Sequence, residues 1–132
     1  MADDLGTVKV EAASVRNSVI SLTCSLVALY HMITSVYFVL TWLPKMSDVY
    51  SSIKVHVPVL AEWMNLYGLY LWLALGVCVC VSLFRSFRHP EKSSTVTLAV
   101  SCLLATLVLS WMSHSAVWSP FIGLFQGIGA EK

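Results

Sequence analysis

Three long apolar stretches constrain this chain more than any other feature of its sequence. They cover residues 18–40, 66–84 and 95–113. His31 is the only Asp, Glu, Lys, Arg or His within them. A bilayer hydrocarbon core of roughly 30 Å needs about 20 apolar residues in helical form. Because the stretches are continuous and do not alternate with polar residues, they indicate helices rather than the strands of a membrane barrel.

The composition supports the same fold class. Hydrophobic residues make up 58% of the 132 and charged residues only 11%, whereas soluble domains are about 25% charged. An ordinary soluble domain and a disordered chain are both excluded, and a net charge of +1 provides no basic field for nucleic acid. We therefore predict a single all-α integral membrane domain over 1–132, with spans at about 18–42, 60–86 and 95–114, an external loop at 43–59 and a tail at 115–132.

The basic residues predict the orientation in the membrane. Cytoplasmic segments carry an excess of Lys and Arg, and the N-terminal segment plus the link between the second and third spans hold five of the eight. The tryptophans give independent support, since all five would lie at or toward the opposite boundary, where Trp is enriched. We expect the N-terminus to be cytoplasmic and the C-terminus to lie outside. The two sets are Lys9, Arg16, Arg85, Arg88 and Lys92 on the inner side, and Trp42, Trp63, Trp72, Trp111 and Trp118 toward the outer side.

The external loop and the C-terminal tail are each predicted to lie at the membrane surface. Within the loop, Met46, Val49, Tyr50, Ile53 and Val57 recur at helical spacing, which predicts an amphipathic helix. The tail segment 117–130 is apolar but has only 14 residues, with Pro120 and three glycines. It is too short to span, so we expect a short interfacial tail, with a re-entrant segment as the alternative.

The loop also carries a family resemblance. The stretch LPKMSDVYSSIKVHVPVL resembles the short non-cytoplasmic loop of the inner-membrane platform (F-protein) family of type II secretion and type IV pilus machines. Lys54 replaces the glycine of that family, and the segments before the first span and between the second and third spans are too short for its cytoplasmic domains. The resemblance implies a bacterial inner-membrane hairpin plus one helix, with an interaction loop. The interaction loop so implied contains Pro44, Lys45, Met46, Asp48, Tyr50 and Pro58. We include the neighbouring Glu62 with them.

Two histidines are the candidates for bound-cofactor chemistry. His31 is an ionisable group inside a span, which makes it a site hypothesis by default, either as a haem ligand or in a proton relay. A bis-histidine haem would need a second histidine at similar depth, and His114 lies at the outer end of the third span. At about 1.5 Å per residue, His31 lies about 20 Å and His114 about 29 Å from the cytoplasmic side, an awkward offset for one haem. A histidine that bonds a neighbouring helix is the favoured interpretation. We expect no cofactor and no metal.

Small residues recur at spacings that let helices approach closely in lipid. We expect them to pack the three spans together, with an oligomer seam as the alternative. Since no catalytic constellation is recognisable, the sequence predicts a non-enzymatic structural or assembly component of a membrane complex, in contact with the bilayer and with other membrane proteins or copies of itself. The alternatives are a haem- or quinone-binding anchor subunit and a small holin-like pore. The small residues are Ser18, Ser21, Ser25 and Ala28, then Gly68 and Gly76, then Ser101 and Ala105.

Overall fold

The structure, a computed structural model, describes residues 2–52 and 59–130 and consists of three helices. Helix α1 runs Ala2–Ser52, α2 runs Val59–Arg88 and α3 runs Ser93–Ala130. Each contains a segment long and apolar enough to cross a membrane, namely Val10–Tyr50, Val59–Arg88 and Ser93–Trp118. The predicted all-α class with three such helices is confirmed for the described ranges.

Helix α1 is longer than the first predicted span. It continues through Pro44 to Ser52, so residues 43–52 do not form the separate loop helix that we predicted. Proline in a helix interior removes one backbone hydrogen bond, but Leu43 and Tyr50 on either side of it are only 6% and 2% exposed. Their burial favours continuing the helix. The rest of the predicted loop, 53–58, lies outside the described residues.

Helix α3 likewise extends past the third predicted span. Its backbone is helical to Ala130, whereas Pro120 and the glycines of this segment predict a weak helix. The extension begins with Ala116 and Val117, which are 0% and 1% exposed. Packing at the start of the predicted tail therefore outweighs the poor helix propensity of its sequence.

The chain divides into two compact halves. We call residues 1–31 and 74–107 the turn half, because they include the connection from α2 to α3, and residues 32–73 and 108–132 the aromatic half. Ala28, Val79 and Cys102 form the core cluster of the turn half, with four leucines packed against it. The core of the aromatic half contains its bulkiest buried side chains, Trp72 and Tyr50.

The connection between α2 and α3 is a tight turn of four residues. The His89 amide donates to Arg85 O at 2.8 Å, which closes the last turn of α2, and Pro90 cannot continue the helix. Helix α3 then begins with the Thr95 amide donating to Lys92 O at 2.9 Å. The Thr95 hydroxyl also donates to His89 O at 3.0 Å, so one buried side chain joins the two helix ends.

Buried and exposed side chains are distributed in the opposite way to a soluble domain. Among the residues whose burial the structure describes, the buried polar side chains are all serine or threonine. In the described part of the chain, 31 large hydrophobic side chains are exposed, including Tyr70 at 70% and Trp111 at 70%. Soluble monomers rarely expose contiguous apolar patches this extensive.

Candidate functional site

In the aromatic half, residues 110–117 of α3 receive contacts from both other helices. The Ser35 hydroxyl of α1 donates to Ser110 Oγ at 2.9 Å. Trp72 of α2 donates its indole N–H to Ser113 Oγ at 3.3 Å, and Ser113 Oγ in turn donates to Leu109 O at 2.8 Å. We call residues 110–117 of α3, with these contacts, the α3 polar segment.

Tyr50 adds a further hydrogen bond to the α3 polar segment. Its hydroxyl donates to Val117 O at 2.7 Å, and both residues are buried. In a helix with Pro120 three residues later, Val117 O lies near a place where the regular backbone ladder is interrupted. The tyrosine therefore supplies a donor from α1 to a carbonyl of α3, and helps to explain why both helices extend beyond their predicted spans.

His114 lies on the exposed side of the α3 polar segment. Its ring stacks on Phe38 of α1, with ring centroids 4.3 Å apart and planes inclined by 15°. Its Nδ1 is 2.8 Å from Ser110 O. Because a carbonyl oxygen only accepts, Nδ1 must carry the hydrogen, which in the neutral ring leaves Nε2 with its lone pair.

The other candidate histidine, His31, belongs to the turn half. It is half-buried, and its ring meets Tyr30 edge-on at a centroid distance of 5.8 Å. His31 therefore belongs to the turn half and His114 to the aromatic half. Among the described residues, there is no group of three or more His, Cys, Asp or Glu side chains that could hold a metal ion.

The described residues of the predicted interaction loop are mostly exposed, but one of them is buried. Pro44, Lys45 and Asp48 on α1 and Glu62 on α2 are exposed, and Met46 is half-buried. Tyr50 is the exception, since it is 2% exposed and bonded to α3. Its position therefore serves helix packing rather than an accessible surface. Pro58 lies outside the described residues.

Small buried residues of the turn half form hydrogen bonds between α1 and α2. Ser25 Oγ lies 2.8 Å from Ser82 Oγ and 3.4 Å from Ser86 Oγ, and all three residues are buried. The predicted packing role of Ser21, Ser25 and Ala28 is confirmed by their complete burial.

The two other sets of small residues behave differently. Gly68 is buried and Gly76 is half-buried, in agreement with a packing role. Ser101 and Ala105 of α3 are both exposed. The prediction that they pack against the other spans is therefore wrong for this pair, because the buried face of α3 runs through Ala99, Cys102 and Thr106 instead.

Sequence reasoning missed most of the α3 polar segment. No motif marks the residues of its contacts, Ser35, Trp72, Ser110 and Ser113. The predicted stripe of small residues on α1 ends at Ala28, one helical repeat before Ser35. The spacing of that stripe could have located Ser35. It lies seven residues after Ala28, which places both residues on the same face of the helix.

The comparisons add no relative to this description. No known protein family, curated protein or solved structure matches the chain.

Proposed function

We propose that this chain is a small non-enzymatic integral membrane protein that acts as a structural or assembly component of a membrane complex. The observation that carries the proposal is the pairing of an apolar exposed surface with buried hydroxyl groups that bond between helices. In water such a surface would be aggregation-prone. In lipid it is solvated, and the hydroxyl groups are satisfied inside the bundle.

The assembly role draws on how little of each helix is covered. In each candidate span only 22% of the most apolar window is buried, so most of its surface faces lipid or another helix. The exposed Ser101 and Ala105 would permit the backbone of a second helix to approach α3 closely. The platform-like stretch that includes exposed Pro44, Lys45 and Asp48 adds a polar region where a partner would be recognised.

We place the N-terminus in the cytoplasm and the C-terminus outside a bacterial inner membrane. This topology follows the distribution of Lys and Arg, and the location follows the resemblance to the platform proteins. Reporter fusions to the C-terminus test it, since a phosphatase that is active only outside should be active and a cytoplasm-dependent fluorescent protein should be dark. The reverse pattern would contradict the topology.

Insertion and assembly are tested separately. Alkaline carbonate extraction of membranes from expressing cells should leave the chain in the pellet, and release into the supernatant would contradict insertion. Light scattering in mild detergent should then give a mass above that of the 14.6 kDa monomer. A monomer with no associated protein by mass spectrometry would remove the assembly role.

A haem-binding anchor is a second candidate because of one observation at His114. Metal-ligating histidines usually donate their other ring N–H to a backbone carbonyl or carboxylate, and His114 is held in this way by Ser110 O. Purified protein would then show a Soret band that is lost in His114→Ala and kept in His31→Ala. No Soret band after expression with haem supplied would dismiss this candidate.

A further inference from the structure

The turn half carries a charged surface that neither the packing nor the proposed assembly role uses. It consists of Arg85, Arg88 and Lys92 around the α2–α3 turn, and we call it the basic turn surface. Arg88 and Lys92 are exposed and Arg85 is half-buried. The four-residue connection contains one carboxylate, Glu91, so positive charge predominates.

The contacts of the two arginines leave their charge in place. Arg85 donates to Ser94 Oγ at 3.4 Å, and the Arg88 guanidinium lies 5.7 Å from the centroid of the Phe84 ring. A hydroxyl and an aromatic ring orient a guanidinium without neutralising it. Both groups therefore remain able to form charge-assisted hydrogen bonds with an anion.

The cations are adjacent to exposed aromatic side chains. Phe84 is 62% and Phe87 72% exposed, and they precede Arg88 by four residues and one residue. Residues 84, 87 and 88 share one region of the helix surface. This region combines an apolar part, suited to acyl chains, with guanidinium groups at its end, suited to phosphate.

The backbone around the cations is held in a defined conformation. The Thr95 hydroxyl donates to His89 O at 3.0 Å, and the Asn17 side chain donates to Glu91 O at 3.3 Å. Contacts from α1 and α3 thus fix both ends of the turn. A surface held in this way loses less conformational entropy on binding than a flexible basic segment.

We propose that the basic turn surface binds the headgroup of an anionic phospholipid, with Arg88 and Lys92 contacting the phosphate and Phe84 and Phe87 lying along the acyl chains. Charge complementarity and the adjacent aromatic side chains together favour a lipid over a soluble anion. The inference rests on the proposed insertion into a bilayer, because only an inserted helix would bring the turn to the level of the headgroups.

Native mass spectrometry of the full chain tests this binding. The chain is prepared in maltoside micelles with equal amounts of phosphatidylglycerol and phosphatidylcholine. We expect preferential retention of phosphatidylglycerol, and a loss of that preference by at least about fivefold in R88Q/K92Q, since each cation near a lipid surface contributes substantially to attraction. The matched control is K9Q/K132Q, which removes two lysines far from the turn in the sequence and should bind as the unaltered chain does.

Four outcomes would overturn the inference. The first is equal retention of both lipids, the second is unchanged preference in R88Q/K92Q, and the third is the same loss in K9Q/K132Q. The fourth is displacement of the lipid by inorganic phosphate at equal concentration, which would indicate a general anion site. Carbonate extraction of the unaltered chain separates this inference from the proposed function. Its release into the supernatant refutes both, whereas an inserted chain without lipid preference refutes only the lipid site.

Discussion

The two halves of the molecule join their helices by different means. In the turn half, the buried groups that bond between α1 and α2 are small, as in the contact of 2.8 Å between Ser25 and Ser82. In the aromatic half, the corresponding groups include Trp72 and Tyr50, whose polar ends bond to Ser113 and Val117. One half therefore depends on close approach and the other on large side chains that fill space and carry a donor.

The difference follows from the position of each half along the sequence. All five tryptophans fall in the ranges that make up the aromatic half, which also holds the ends of α1 and α3. Tryptophan and tyrosine suit a location that is apolar at one end and wet at the other. The buried positions that the structure describes in the turn half instead hold smaller residues, namely serine, threonine, alanine, cysteine and one valine. Truncation of a buried side chain should therefore lower the free energy of unfolding most in the aromatic half. Enlargement of a buried side chain should lower it in the turn half.

Truncating the largest buried side chain should have the largest effect. Trp72→Ala removes a side chain that is 2% exposed and leaves a cavity, for which we expect a loss of about 3 kcal/mol or more in the free energy of unfolding. Reversible unfolding in mixed micelles of mild detergent and dodecyl sulfate, followed by circular dichroism, gives this value.

The matched control is Trp63→Ala on the same helix. Trp63 is 57% exposed, so its truncation should change the free energy of unfolding by less than about 1 kcal/mol. Equal losses in the two variants would contradict the packing of the aromatic half.

Enlarging a small residue should be the sensitive change in the turn half. Ser25→Leu replaces the hydroxyl oxygen with three carbon atoms, a gain of two heavy atoms, where Ser82 and Ser86 lie within 2.8 and 3.4 Å, and overpacking of this kind costs about 1–3 kcal/mol. The same unfolding assay measures it. Ser101→Leu is the control, because Ser101 is exposed. If Ser25→Leu were as stable as the control, close approach would not be what joins these helices.

The sequence predicted the fold class well and the helix ends poorly. Length and hydropathy alone predict three helices long and apolar enough to cross a membrane, because a continuous apolar stretch of about 20 residues satisfies its backbone hydrogen bonds internally as a helix. The end of α1 could not be predicted in this way, because Pro44 and the polar residues after it favour a boundary. What extends the helix is the burial of Tyr50 against α3, a contact between residues 67 apart in sequence.

The packing contacts were also predictable only in part, because local spacing can be read from the sequence and contacts between distant residues cannot. The serine stripe of α1 gave Ser21, Ser25 and Ala28 correctly because helical spacing is a local property. Which serines of α2 and α3 face that stripe depends on how the helices are rotated about their axes. Hydropathy does not encode that rotation when the exposed faces are as apolar as the rest, and the misassignment of Ser101 and Ala105 is its result.

Removing the hydroxyl of Tyr50 measures what one hydrogen bond between α1 and α3 contributes to the stability of the aromatic half. Tyr50→Phe keeps the ring and removes the hydroxyl that donates to Val117 O at 2.7 Å. We expect a loss of about 1 kcal/mol in the free energy of unfolding. Tyr70→Phe is the control on an exposed tyrosine of the same half and should be neutral. A neutral Tyr50→Phe would mean that water or another group replaces the hydroxyl.

The smallest effect is expected for the serine pair of the turn half. Ser25→Ala and Ser82→Ala each remove one partner of the 2.8 Å contact, and hydrogen bonds between membrane helices contribute about 0.6 kcal/mol on average. Ser82→Ala should cost less than Ser25→Ala, because Ser86 at 3.4 Å remains as a second partner for Ser25. A double-mutant cycle on the two positions, compared with a cycle pairing Ser25→Ala with Ser101→Ala, isolates the coupling. Coupling near zero in both cycles would show that the serines act only through their small size, which would make the contrast with the donor-dependent aromatic half sharper still.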